Sequence, residues 1–322
     1  MRICIFGAGA VGSHFAVRLA LSGHDVSCVM RGPHLEATKA HGLTLRLGGE
    51  EFSARVGASD DPAALGPQDV VISTLKANGL SALVAGLSPL LRENTAIVFA
   101  QNGVPWWYDI GLSADQPPPP DLGFLDPGAK LRSAVSKERI IGGVIFSSNE
   151  IVEPGIVVND SPERNMLLVG ECDDRASTRI ERLRAALVEA GIQSPPAPRI
   201  REAIWTKLTS NMSVSVLCSL TGQTARVTTE DPALQAFVPR LLDEAQAVAR
   251  SCYPGIIRRT GRAPDHKPSL RQDFERGRPM EIDALVTAPA AFARAAGLST
   301  PTLDTIGGLA TRQARDKGLY GG

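Results

Sequence analysis

The apolar positions of the chain follow two regimes. Up to about residue 200 they form short continuous runs that alternate with segments of helical period. Beyond it only the helical period remains. Arg2–Phe6, Asp25–Met30, Asp69–Leu75 and Thr95–Ala100 are apolar runs of the kind a parallel strand buries on both faces. Between them, Ser13–Leu21 and a segment from about Leu80 to Leu91 carry apolar residues at helical spacing. That alternation predicts a doubly wound parallel sheet. Leu43–Leu47 and Glu51–Val56, split by Gly48-Gly49, read as an inserted hairpin. Strand-like segments return at Ile140–Ser147, Gly155–Asn159 and Met166–Gly170, and Arg175–Ala190 is an amphipathic helix closed by Gly191.

After Ile200 the pattern predicts helices over Glu202–Leu220, Pro232–Ser251, Ser269–Glu275, Ile282–Ala296 and Pro301–Lys317, separated by Gly and Pro breakers. Ser194-Pro195-Pro196-Ala197-Pro198 marks the boundary. The expected organisation is an α/β domain over 1–198 and an all-α domain over 199–322. One stretch of the first domain stands apart, an insertion at about 105–130. There Trp106-Trp107-Tyr108 precedes Asp115-Gln116 and four prolines, Pro117 to Pro120. It is too proline-rich for a helix or central strand and is expected to be a surface excursion.

Gly7-x-Gly9-x-x-Gly12 follows the first strand and opens the first helix. That context makes the six residues a dinucleotide fingerprint and the first domain Rossmann-type. Gly7 permits the tight turn, Gly9 lets backbone approach a pyrophosphate, and Gly12 lets helix pack on strand. The helix start at Ala10 and Val11 then presents free N–H groups and the positive end of the helix dipole to the phosphates. Enzymes that use NAD usually place an acid after the second strand; here the chain reads Met30-Arg31-Gly32. A cation suits a 2′-phosphate, which favours NADP, the alternative being a solvated Arg31. Lys76 and Asn102 each follow the end of a strand, where open α/β sheets bind ligands. Ordinary loop polarity accounts for them equally well.

Composition narrows the classes. Among 322 residues, 34 Lys plus Arg balance 34 Asp plus Glu, which gives no electrostatic footprint for nucleic acid or an anionic membrane. A 43% hydrophobic and 21% charged chain has material for a packed core. The five cysteines, Cys4, Cys28, Cys172, Cys218 and Cys252, form no CxxC pair, which points to a reducing compartment. With no long apolar span and a strand starting at Arg2, a cytoplasmic protein without a leader is expected. The five histidines have no metal-ligand spacing, so no metal is expected.

In the helical region, Lys207, Asn211 and Ser215 recur at i, i+4 and i+8 on a largely apolar helix. Such a polar stripe meets partners, a wet cleft or solvent. Ser269 stands where a helix N-cap belongs, and Glu281 follows a proline, where an acid favours a helix start.

The ordered set resembles the ketopantoate reductase (2-dehydropantoate 2-reductase) family. Its pieces are the GxGxxG, Arg31, Lys76, Asn102-Gly103, Trp205-x-Lys207-x-x-x-Asn211, Pro268-Ser269-x-x-x-Asp273 and Glu281-Ile282-Asp283. They span nearly the whole chain. The resemblance implies that NADPH reduces a small 2-oxo acid, with Lys207 as general acid. It implies cofactor contacts from Gly7, Gly9, Ala10, Val11, Gly12, Arg31, Lys76, Asn102 and Glu281. Glu281 would orient Lys207, Asn211 and Asn102 would meet the reacting group, and Ser215 and Ser269 would help bind substrate. Burial in an interdomain cleft would bring the Lys207 pKa down toward a useful range.

The chain departs from the family where Ser215 replaces a second asparagine and where Ala284-Leu285 replaces an Asn-Gly pair. Trp106, Trp107 and Tyr108 either shape the substrate pocket or pack as core or lid. Two alternatives stand beside ketopantoate reduction in pantothenate biosynthesis: a paralogous reductase of another 2-oxo acid or carbonyl, and a non-catalytic NADPH sensor. Five apolar-faced helices also suffice to bury a homodimer interface.

Overall fold

The computed structural model describes residues 1–114, 116–256 and 265–321; Asp115 of the insertion lies outside them. The chain divides into two compact units, one of Met1–Gln101 with Ala129–Ile200, the other of Asn102–Gly128 with Arg201–Gly322.

The first unit contains β1 (Arg2–Phe6), α1 (Ala10–Leu21), β2 (Asp25–Val29), α2 (Pro33–His41), β3 (Leu43–Leu47), β4 (Glu50–Ala54) and β5 (Gly57–Ser59). It continues with β6 (Val70–Ser73), α3 (Leu80–Gly86), β7 (Ala96–Ala100), α4 (Lys130–Ala134), β8 (Ile140–Phe146), β9 (Asn149–Glu153), β10 (Ile156–Asn159), β11 (Met166–Glu171) and α5 (Thr178–Glu189). Seven strands form one sheet in the order β11-β8-β7-β6-β1-β2-β5. Six are parallel, and β11 runs antiparallel to β8. The apolar runs are buried as expected of a doubly wound sheet, with Ile3, Cys4 and Ile5 inaccessible.

The predicted hairpin joins a second sheet, ordered β4-β3-β10-β9. Helix α1 lies against strands of both sheets, so Gly12 through Val17 are all buried. This explains its apolar character on every face. Of its buried polar side chains, His14 donates from Nδ1 to Asn149 Oδ1 at 2.7 Å. Asn159 Nδ2 donates in turn to Asn149 Oδ1 (2.8 Å) and to Asn165 Oδ1 (2.7 Å). These bonds tie the helix to the second sheet.

The second unit holds residues 102–128 together with α6 (Ile200–Ser210), a π-helical turn at Asn211–Ser215, α7 (Val216–Thr221), α8 (Ala225–Glu230) and α9 (Phe237–Cys252). They are followed by α10 (Ser269–Glu275), a second π-helical turn at Asp283–Thr287, α11 (Ala288–Ala295) and α12 (Pro301–Asp316). A Rossmann-type unit and a helical unit are therefore both present.

The structure differs from the sequence expectations in several places, three of which bear on the units. The helix expected over 80–91 stops at Gly86 and a 3-10 turn follows at Ser88–Leu90, because Pro89 removes a donor. The helix expected over 202–220 is interrupted by the first π turn. The 105–130 stretch, expected as an excursion of the first domain, belongs through residue 128 with the helical unit. Pro117 and Pro118 are exposed, but Trp106, Trp107 and Tyr108 are at most 2% exposed. Three adjacent aromatic rings carry too much apolar area to leave in water, and the helical unit supplies their core.

Candidate active site

In the first unit the glycine loop has three separate constraints. Gly7 adopts φ +88°, and a Cβ there would lie 2.4 Å from Leu75 Cδ2. Its N–H and that of Ala8 both donate to Val29 O, at 3.0 and 3.1 Å, which closes the turn over β2. Gly12 is crowded: a Cβ would sit 2.6 Å from Thr74 Oγ1 and 2.9 Å from Ile5 Cγ2. Thr74 is itself fixed, donating to Gly7 O at 2.8 Å. Gly9 is open, since a Cβ would meet only Gly7 O, at 3.8 Å. Gly9 is also the N-cap of α1, where no side chain caps the helix and no acid occupies the first turn. A bare helix N-terminus beside an exposed glycine fits a pyrophosphate. Ser13, just after the fingerprint, contacts His34 Nε2 at 2.9 Å, while His34 Nδ1 accepts from the Gly155 N–H at 2.9 Å. With Nδ1 an acceptor, Nε2 carries the proton and donates to Ser13.

Arg31 follows β2 and is exposed, ahead of Gly32 at φ +66°. An exposed guanidinium with no acid beside it in sequence fits a 2′-phosphate better than a ribose hydroxyl. Lys76 follows β6, half-buried, at the start of a 3-10 turn.

In the second unit two of the predicted residues meet, and segments that carry others touch one another. Lys207, half-buried on α6, donates from Nζ to Asn102 Oδ1 at 2.7 Å. Gly103, next to Asn102, adopts φ +80° with its Cα face against Ala284, where a Cβ would lie 2.5 Å from the carbonyl oxygen. The Val104 N–H donates to that same oxygen at 3.0 Å. Asn102 is thus fixed beside the segment that carries Glu281, which is 4% exposed. The two π turns touch each other, and α10 touches the first of them.

Two sequence readings change here. Lys207, Asn211 and Ser215 do not share a regular α-helical face, because the π turn begins at Asn211 and inserts an extra residue into the register. Asn211 is half-buried and Ser215 buried. Ser269 is not the N-cap of α10; Pro268 is, and no side chain caps that helix. The exposed Ser269 hydroxyl is therefore not engaged in capping.

Sequence reading named Tyr108 and Trp205 but missed Arg201 and its bonds to the Tyr108 segment. Arg201 is fully buried and donates to the carbonyls of Tyr108 and Ile110. Its only signal in the sequence is a charge six residues before Lys207 on an apolar helix. Among the described residues, no group of three or more His, Cys, Asp or Glu is disposed to hold a metal, and no helix is long and apolar enough to cross a membrane.

The ketopantoate reductase PanE/ApbA family model matches residues 3–109, and the model of its C-terminal region matches residues 199–313. A 2-dehydropantoate 2-reductase of Mesorhizobium japonicum is 40% identical over 99% of this chain and 100% of its own. A crystal structure assigned as a ketopantoate reductase from Ralstonia solanacearum MolK2 superposes with a TM-score of 0.86 at 35% identity, covering 99% of both chains. D-mandelate dehydrogenase, solved with NADH and anilino(oxo)acetate, shares the fold at a TM-score of 0.79 and 20% identity, covering 99% of this chain and 100% of its own.

Together with the fold and the glycine loop, the family models and the 40% identical relative define a nicotinamide-dinucleotide oxidoreductase that acts on CH–OH groups, with NADP as its cofactor. The chain belongs to the ketopantoate reductase family.

Proposed function

We propose that the protein catalyses NADPH-dependent reduction of 2-dehydropantoate to pantoate, a step of pantothenate biosynthesis. The observation that carries this reading is the 2.7 Å bond from Lys207 Nζ to Asn102 Oδ1, formed where the Glu281 segment closes on Asn102. A full-length relative at 40% identity with that name supports the choice of substrate. Five buried free thiols support a reducing, cytoplasmic setting.

The bound cofactor supplies a hydride to the 2-oxo carbon. The bare N-terminus of α1, at Gly9, Ala10, Val11 and Gly12, receives the pyrophosphate, and Arg31 receives the 2′-phosphate. Lys76 supports the cofactor from the end of β6. As the carbonyl becomes an alkoxide, negative charge grows on its oxygen, and Lys207 holds the proton that neutralises it at Nζ. Asn102 Oδ1 accepts one of the three ammonium hydrogens and aims the others. Glu281, buried on the segment to which Val104 is bonded, orients Lys207 and accepts from a substrate hydroxyl. Asn211 binds the reacting oxygen, the uncommitted Ser269 hydroxyl takes the substrate carboxylate, and Ser215 helps to bind substrate.

Two measurements test this reading. The first is oxidation of NADPH with 2-dehydropantoate and with a panel of other 2-oxo acids. A kcat/KM of about 10⁴ M⁻¹s⁻¹ or more on 2-dehydropantoate is expected, above the rest of the panel. A better rate on another acid overturns the substrate assignment. The second is Lys207→Ala, expected to lower kcat by roughly 10²-fold or more while NADPH affinity is kept. Unchanged turnover in that variant removes Lys207 from the mechanism.

A further inference from the structure

The Lys207–Asn102 bond joins two separate pieces of chain, helix α6 and the segment that begins at residue 102. A second set of bonds joins the same two pieces. Arg201 Nε donates to Tyr108 O at 2.7 Å and its Nη2 to Ile110 O at 2.6 Å. Its guanidinium lies 5.3 Å from the Trp107 ring centroid and 5.5 Å from that of Tyr108. Trp205 Nε1, two residues before Lys207, donates to the Tyr108 hydroxyl at 2.8 Å. Tyr108, Trp205 and Phe292 meet edge to face, with centroids 6.4, 4.9 and 5.0 Å apart.

This arrangement demands a particular backbone position. A guanidinium removed from water is costly unless its donors are met, and its planar fork requires both carbonyls at fixed places. Lysine has no such fork. Burial pushes the Tyr108 phenol well above its ordinary range, so it keeps its proton and its oxygen accepts from Trp205. At the other end of the segment, Val104 N–H is bonded to Ala284 O. The stretch that bears Asn102 is therefore held at 103–104 by the second π turn and at 108–110 by α6 itself.

We propose that Arg201, Tyr108 and Trp205 form a clamp that registers the Asn102 segment on α6 and so places Asn102 Oδ1 at Lys207 Nζ. They are positioning residues for the reduction. The proposal rests on the reading above that Lys207 and Asn102 belong to the catalytic machinery. Positioning of this kind is sensitive, since a displacement of about 1 Å costs on the order of 10²-fold in rate.

The test is a double-mutant cycle on the full chain. Tyr108→Phe keeps the ring and removes the hydroxyl that accepts from Trp205 and also meets the Cys252 thiol; Arg201→Lys keeps the charge and removes the fork. Each is measured alone and combined with Asn102→Ala, well below the melting temperature. Tyr108→Phe alone is expected to lower kcat by about 3- to 10-fold and Arg201→Lys by more, with KM for NADPH within about twofold. In the Asn102→Ala background, Tyr108→Phe is expected to cost less than about 1.5-fold further, because the residue it positions is gone.

Full additivity, or wild-type kcat in Tyr108→Phe, overturns the clamp while Asn102 stays catalytic. Wild-type kcat in Asn102→Ala instead overturns the catalytic reading and the clamp with it. If Arg201→Lys fails to fold, Tyr108→Phe carries the test by itself.

Discussion

At the scale of single residues, the glycines of the fingerprint make opposite predictions from one motif. Gly12 faces Thr74 Oγ1 and Ile5 Cγ2 inside normal contact distance, and Thr74 cannot swing away without losing its bond to Gly7 O. Gly12→Ala should therefore cost about 1–3 kcal/mol of stability by overpacking. Gly9 has an ordinary negative φ of −78° and open space at its Cα. Gly9→Ala should leave the melting temperature nearly unchanged. It should nonetheless weaken NADPH binding at least about tenfold, or ~1.4 kcal/mol, by filling the space that the pyrophosphate needs. Thermal melts and titration calorimetry separate the two; a destabilised Gly9→Ala with normal affinity would reverse the assignment. These roles were legible because strand, turn and helix follow one another without interruption in the sequence. The role of Arg201 was not, because its partners are two backbone carbonyls and carbonyls have no sequence signature.

At the scale of elements, the strands of the large sheet were readable because parallel strands bury both faces and show as apolar runs. Helix α2 was missed because only Leu35 and Thr38 are buried on it, too few to set a period, although Pro33 and Gly42 bracket it as start and stop. Strand β5 is three residues long, and β9 begins with Asn149-Glu150. The two π turns were invisible because their apolar spacing matches that of an α-helix over so short a stretch. Yet the second one carries the consequence for the site. Its Asp283 accepts at 2.6 Å from the Tyr320 hydroxyl, and Met280 N–H donates to Leu319 O at 2.9 Å. Residues 319–320 thus brace the backbone on both sides of Glu281. Tyr320→Phe keeps the ring on Arg315 and removes the hydroxyl's bonds to Asp283 and Thr287. The expected loss of global stability is at most about 1 kcal/mol, since the group is half-exposed. Steady-state kinetics should show KM for the keto acid rising several-fold and KM for NADPH unchanged; equal effects on both would assign residues 319–320 to general stability.

At the scale of the whole molecule, the two units should respond differently to acid. Burial lowers the pKa of His14 to about 4 from 6.5, and burial also lowers those of His24 and His34. All three belong to the first unit. A histidine held neutral in the fold but protonated when unfolded makes the unfolded state bind more protons. Its stabilising contribution is therefore complete above pH 6.5 and is lost progressively as pH falls toward 4. For His14 alone that loss is of order 3 kcal/mol. In the second unit Glu275 is lowered, held down by its bond to Lys267, and its contribution is lost only below its ordinary 4.5. Between pH 6.5 and about 4.5 the three lowered histidines thus make the first unit acid-sensitive. All three tryptophans, Trp106, Trp107 and Trp205, lie in the second unit, so their fluorescence reports that unit, whereas far-UV circular dichroism reports both. On acidification the dichroism should begin to fall while tryptophan emission is still native. His14→Gln, which keeps an amide for Asn149 and cannot take up a proton, should move the first transition to lower pH and leave the emission transition in place. Coincident transitions in the wild type, or no shift in the variant, would mean that the buried histidines do not set the acid limit of the fold.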